Sequence, residues 1–237
     1  MTLARRAVAE GLGTCFLLAA VVGSGIMGER LADGNAAIAL LANSVAPGGA
    51  LVALILAFGP VSGAHLNPAV SLSDAIHGGL PWRDLPVYVC AQIVGAFAGV
   101  AIAHLMFAEP TYSISTHERS GSAQGFSEFI ATFGLMSVIW GCVKTRSSAV
   151  PFAVAAYIVA AYWFTASTSF ANPAVTLARA ASDTFAGIRP QDVPLFISLQ
   201  LAGAVAATAV FRWLMPALPQ SADTVVLPHE DASGEQV

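Results

Sequence analysis

The sequence predicts an all-α membrane protein: six transmembrane helices plus two re-entrant half-helices, related by an inverted internal repeat. Three observations predict it. Of the 237 residues, 56% are hydrophobic and only 10% are charged, whereas soluble domains run near ~25% charged. Ten Lys and Arg cannot coat a globule of this size, so lipid must solvate much of the surface. Apolar windows of ~20 residues, the length that spans a bilayer, recur along the chain. One motif occurs twice, as Ser62-Gly63-Ala64-His65-Leu66-Asn67-Pro68-Ala69-Val70 and as Ser167-Thr168-Ser169-Phe170-Ala171-Asn172-Pro173-Ala174-Val175.

The spans fall near 7–27, 36–58, 87–107, 125–143, 149–166 and 192–214. Arg5, Arg6 and the apolar run to Gly25 have the outline of a signal peptide. Glu10 interrupts that run and five more apolar segments follow, so it is read as the first membrane helix. Pro47-Gly48-Gly49 interrupts the second span and predicts a kink there. Two shorter pieces, about 68–77 and 173–182, remain. Ten residues at ~1.5 Å each reach ~15 Å, half the hydrocarbon core, so these are half-helices. Each opens on Asn-Pro: Asn caps, and Pro takes the first helical position, where its missing N–H costs nothing.

The halves match beyond the motif. Glu10 in the first span has a counterpart in Glu128 of the fourth, and Gln92 with Gly95 is echoed by Gln200 with Gly203. Three spans per repeat is odd, so the second half inserts upside down. Residues 1–216 then form a single membrane domain, with repeats at about 7–107 and 125–214. A polar connection runs from Glu109 to Gln124, and residues 217–237 form a polar, acidic tail read as disordered. Lys/Arg counting puts Arg5, Arg6, Arg83, Lys144, Arg146 and Arg212 on one side and Arg30, Arg119, Arg179 and Arg189 on the other. That places both termini in the cytoplasm and the long connection outside the cell.

Inversion brings the two half-helix N-termini together near the bilayer midplane. Each Asn67 and Asn172 side-chain oxygen caps its own helix and leaves an NH₂ donor free. Two helix starts, each with roughly half a positive charge, then face one small volume. Neutral hydrogen-bonding solutes pass such a site, while cations and hydrated protons are repelled. Glu10 and Glu128 are the deep carboxylates. They read either as structural acceptors for loop N–H groups or as the coupling site of an ion- or proton-coupled secondary transporter; the symmetry favours the first. His65 lines the approach to the pore or packs the re-entrant loop. Arg179, four residues past Val175, stands at the vestibule or complements the helix dipole as a C-terminal charge, and the second reading is adopted. His77, His117 and His229 read as solvated, and Cys15, Cys90 and Cys142 as small buried hydrophobes. The few charges, net −4, argue against a nucleic-acid surface. No nucleophile–base pair, phosphate loop or metal cluster is visible, so no enzyme activity, cofactor or metal is expected. Glycines in the first and third spans imply close helix packing.

These residues resemble the aquaporin and aquaglyceroporin channels, the major intrinsic proteins, over about residues 5–215. The motif at 62–70, the second Asn172-Pro173-Ala174 and the paired glutamates carry the likeness. The resemblance implies a homotetramer in the cell's inner (plasma) membrane, with one passive pore per subunit. In most of that family an Arg directly follows the second Asn-Pro-Ala and forms the narrowest filter; here Val175 stands there. By the family's usual alignment the remaining filter positions fall on Pro47, Ala160 and Ser169, a small and mostly apolar set that predicts a wide, donor-poor constriction. An Arg-less filter resembles the bacterial aquaglyceroporins associated with arsenic resistance. The implied cargo is small and uncharged: arsenous acid, methylated arsenicals, glycerol and water.

Overall fold

The computed structural model describes residues 1–143 and 147–216. Lys144, Arg146, His229 and the predicted tail at 217–237 lie outside the described residues. The architecture is the predicted one. Among the described residues eight α-helices follow in order: α1 (Leu3–Leu31), α2 (Ala36–Ser62), α3 (Pro68–His77), α4 (Leu85–Met106), α5 (Ser122–Val143), α6 (Val150–Phe164), α7 (Pro173–Arg179) and α8 (Val193–Leu214). Six of them, α1, α2, α4, α5, α6 and α8, are long and apolar enough to cross a membrane, α6 and α8 together with the 3₁₀ turns Ser147–Ala149 and Pro190–Asp192. Their outer faces are apolar, with Phe16, Val94 and Trp213 more than half exposed, as lipid requires. Cys15 is buried, but Cys90 is exposed on α4, a placement the burial expectation missed because lipid rewards apolar residues on either face.

Local chemistry sets the helix ends. Thr2 caps α1, its hydroxyl accepting from Arg5 N at 3.4 Å. Asn35 caps α2 through Ala37 N and Ile38 N. The helix runs unbroken through Pro47 and Pro60 and stops at Gly63, whose φ of +86° suits glycine. Asn67 caps α3, accepting from Ala69 N at 2.8 Å, with Pro68 in the first turn. Asn172 caps α7 through Ala174 N at 3.0 Å and Val175 N at 3.3 Å. α7 ends at Arg179, short of the predicted 182, because the chain beyond turns to pair with the long connection. Ala180 O and Ala181 O accept from Ser115 N and Ser113 N.

Within each half the first and third spans pack at backbone distance. A Cβ added at Gly95 would lie 2.1 Å from Gly11 O, and one at Gly99 would lie 2.2 Å from Cys15 O. In the second half, a Cβ at Gly203 would lie 2.4 Å from Phe129 O. Each opposing atom is backbone and cannot swing away, so Gly95→Val is expected to force α1 and α4 apart. Its thermal midpoint in detergent should fall by several degrees, the size of an overpacking cost of roughly 1–3 kcal/mol. A midpoint equal to wild type would show that the helices need no such contact. The halves interlock: α3 packs on α4 of its own half and α8 of the other, and α7 on α8 and α4.

Candidate functional site

The two half-helix tips meet. Asn67 Nδ2 donates to Ala171 O at 2.7 Å, and Asn172 Nδ2 donates to Leu66 O at 2.8 Å. The bonds are reciprocal across the repeat. A side-chain amide carries two donor hydrogens, so each asparagine gives one to the opposite loop and keeps one. Both asparagines line a cavity of ≈ 70 Å³ that passes between the halves. At ~10–15 Å³ per water centre, this holds a short file of waters. Apolar side chains of four spans close its sides: Leu17, Ile55, Leu135 and Val154 among them.

The loops ahead of the half-helices are held in conformations that side chains resist. Ala64 and Leu66 have φ of 47° and 50°, and Ser169 and Ala171, their repeat counterparts, have 51° and 47°. Each such residue costs ~1–3 kcal/mol unless its surroundings hold it. Glu10 holds the first loop: its carboxylate accepts from His65 N at 2.9 Å, Leu66 N at 2.7 Å, Ser62 Oγ at 2.7 Å and Gln92 Nε2 at 2.8 Å. Glu128 repeats the device on Phe170 N, Ala171 N and Gln200 Nε2, at 2.9, 2.9 and 2.6 Å. Both carboxylates are fully buried behind the loops, and neither lines the cavity. The glutamines reach on to the half-helices, Gln92 to Ser71 Oγ at 2.9 Å and Gln200 to Thr176 Oγ1 at 2.8 Å.

At the α3 end His65 does both things the sequence offered. It lines the cavity, and it packs: Nδ1 lies 3.0 Å from Ser71 Oγ, Nε2 lies 3.4 Å from Asp74 Oδ2, and the ring sits 5.3 Å from Tyr88. Tyr88 OH in turn donates to Ser62 O at 2.9 Å. His77, expected in solvent, is buried and lies 4.0 Å from the Trp140 ring; it is the last residue of α3 and turns inward against α5.

At the α7 end the cavity is lined by Pro47, Ser169, Val175, Tyr162, Phe170 and Arg179. Ala160, expected here, is exposed on the outer face of α6 and does not reach the cavity. The helix turns 100° per residue, so the inward face runs through Val154, Ile158 and Tyr162 at intervals of four. Ala160 is ~200° from Ile158 on that wheel. The side chain from α6 is therefore a buried Tyr, not a small methyl.

Arg179 is the second correction. It does sit in the last turn of α7, as the dipole reading has it, but it is also one of the most deeply buried side chains among the described residues, 1% exposed, and it lines the cavity as the vestibule reading has it. Its Nε donates to Ala186 O, and its guanidinium carbon stands 3.4 Å from the Phe170 ring centre. Arg119, from the long connection, approaches the same ring at 4.9 Å. Arg119 is anchored by carbonyls, with Nε on Gly187 O at 2.8 Å and Nη1 on Ser167 O at 3.3 Å. Burial draws the Arg119 guanidinium down to about 10, so it stays charged at neutral pH. The α7 mouth is thus not poor in donors, since Tyr162, Ser169 and Arg179 all line it.

This geometry matches known proteins. The model of the family described as Major intrinsic protein matches residues 1–159 and 139–237. The chain belongs to the major intrinsic protein family. It is 55% identical over 218 residues to "Aquaglyceroporin AqpS" of Rhizobium meliloti (strain 1021), covering 92% of this chain and 93% of that protein. It is 39% identical over 145 residues to "Aquaporin NIP1-4" of Oryza sativa subsp. japonica, covering 60% of this chain and 51% of that one. Among solved structures, the aquaglyceroporin from Plasmodium falciparum superposes with a TM-score of 0.70 at 21% identity, over 92% of this chain and all of that one. The last likeness concerns the fold alone.

Three residues of this major intrinsic protein escaped the sequence reading. Tyr162 was within reach, because four-residue spacing from Val154 selects it over Ala160. Asp74 would have emerged from laying the two motifs over one another, since it and Arg179 hold the same register. Arg119 is one charge in a polar loop, and no local pattern marks it.

Proposed function

We propose that this membrane protein is a passive channel for small uncharged hydroxylated solutes: water, glycerol and the metalloid hydroxides, arsenous acid foremost. The observation that carries the reading is the pair of reciprocally bonded asparagines in the wall of a cavity of ≈ 70 Å³ whose sides are mostly apolar. A solute there exchanges hydrogen bonds with two fixed donors in single file, and the two half-helix starts set a positive potential against cations. Arsenous acid is a neutral trihydroxide close to glycerol in shape, so the same donors serve both. Val175 and Pro47 add apolar wall on which the methyl groups of methylated arsenicals rest. The name of the 55% identical relative, an aquaglyceroporin, agrees with this cargo class.

Glu10 and Glu128 serve as loop braces. Their acceptor sites are filled by backbone and amide donors, which weighs against a shuttling proton and so against the coupled transporter. The remaining assignments are a homotetramer in the plasma membrane, both termini cytoplasmic, with the α7 mouth facing outside. They rest on the family resemblance and the Lys/Arg count, with lipid and neutral solute as the chemical partners.

Stopped-flow light scattering on proteoliposomes tests the cargo. Glycerol and arsenous acid permeabilities are expected to exceed those of protein-free vesicles by more than about tenfold, and to be unmoved by an imposed proton gradient. Flux that follows the proton gradient would return the coupled transporter.

A further inference from the structure

Val175 occupies the site just past the second Asn-Pro-Ala, yet a guanidinium reaches the same mouth from one helical turn further on. Residues four apart on a helix share a face, so Arg179 looks into the cavity that Val175 lines. Its Nε is held by Ala186 O. Among the described residues its two Nη groups have no hydrogen-bond partner and no carboxylate pairs with it, although the side chain is 1% exposed. Neither Nη is among the side-chain atoms sealed from the cavity without a partner, so both open on the lumen and take their acceptors from it. What is available on the cavity side is whatever passes through.

We propose that Arg179 is the specificity-determining cation of this pore: its Nη donors hold solute hydroxyl oxygens at the α7 mouth, and its charge excludes monovalent cations and protons. Phe170 fixes the plane of the guanidinium, and Arg119, against the same ring, adds a second positive charge behind it. The first half-helix shows that this charge is no by-product of the repeat. The equivalent register there holds Asp74, also buried, 3.4 Å from a cavity-lining His65. Position and burial are shared by the two mouths, but the sign differs. The inference rests on the channel reading above and assigns the residue that makes that channel selective.

The test pairs solute flux with ion leak in proteoliposomes, using Arg179→Leu and Arg179→Cys beside wild type. Wild type is expected to pass glycerol with low K⁺ and proton leak. Both variants should shift glycerol permeability away from wild type, since the Nη donors to its hydroxyls are gone, and leak cations about tenfold more or greater, the scale of one unscreened charge at short range. Treating Arg179→Cys with 2-aminoethyl methanethiosulfonate restores a positive charge through a mixed disulfide, with sulfinate leaving, and should return the leak toward wild type. The 2-sulfonatoethyl reagent, of similar bulk and opposite sign, should not. Wild type carries Cys15, Cys90 and Cys142 and controls for native thiols. Leak unchanged in both variants with glycerol flux intact overturns the proposal, as does equal rescue by the two reagents. If the leucine variant does not fold, the cysteine variant decides alone. Wild-type vesicles that pass neither water nor glycerol would refute the channel reading itself, a result distinct from both.

Discussion

Glu128→Leu is expected to abolish recovery of folded protein, and Glu128→Gln to reduce it several-fold. The leucine leaves Phe170 N, Ala171 N and Gln200 Nε2 without their acceptor in a fully buried site. Each orphaned donor costs ~1–3 kcal/mol. The same loop carries Thr168, Ser169 and Ala171 at φ of 60°, 51° and 47°, strain that these bonds help to oppose. The sum rivals the ~5–15 kcal/mol that a folded protein has in total. Glutamine keeps one acceptor but turns an NH₂ toward a backbone N–H, so it loses a bond and adds a donor–donor clash. Glu10→Leu and Glu10→Gln should behave alike on His65 N and Leu66 N. Size-exclusion profiles of solubilised protein, with thermal midpoints, read the effect. Normal monodisperse yield, with flux lost only under a proton gradient, would instead make the glutamates coupling groups.

Val175→Arg is expected to cut glycerol and arsenous acid flux by more than about tenfold while water flux persists, the discrimination that one bulky side chain imposes on a tight pocket. Val175 is 4% exposed and lines the cavity opposite Pro47 and Tyr162. An arginine there meets Arg179 one turn on, on the same face. Two like charges at that spacing repel and the second has nowhere to go but into the lumen. Water, smaller than either solute, still threads the remaining gap. Swelling assays on vesicles with matched protein content separate the three solutes. Unchanged glycerol flux would place the narrowest point of the pore elsewhere.

The fold was legible because lipid leaves few solutions. Six long apolar windows can only be spans, and two ten-residue pieces led by Asn-Pro can only dip. α3 occupies Pro68–His77, as the cap chemistry of Asn67 and Pro68 dictates. The long helix α1 runs past its predicted ends, since hydropathy marks where lipid stops and hydrogen bonds decide where a helix stops. The braces were visible as symmetry: Glu10 with Glu128, Gln92 with Gln200. The mouth at α7 was not. Its chemistry depends on which way Tyr162, Arg119 and Arg179 point, and a side chain held by a loop carbonyl and a ring outside its own helix, as Arg179 is by Ala186 O and Phe170, gives no local sign. Counting positions from the motif found Ala160, a residue two places off the inward face. It also read Arg179 as a charge complementing the helix dipole, where the side chain lines the cavity.

The braces also permit an order of assembly. Glu10 bonds only to its own half, and so does Glu128. The first re-entrant loop can therefore lock as soon as α1 and α2 have left the translocon, before the ribosome has made α5. What that early half lacks is the flank of α8 for its half-helix and the two amide bonds that cross at the midplane. Those arrive last, so the asparagines act as a clasp that closes once both halves are already shaped, and the conduit comes into being only at that final step.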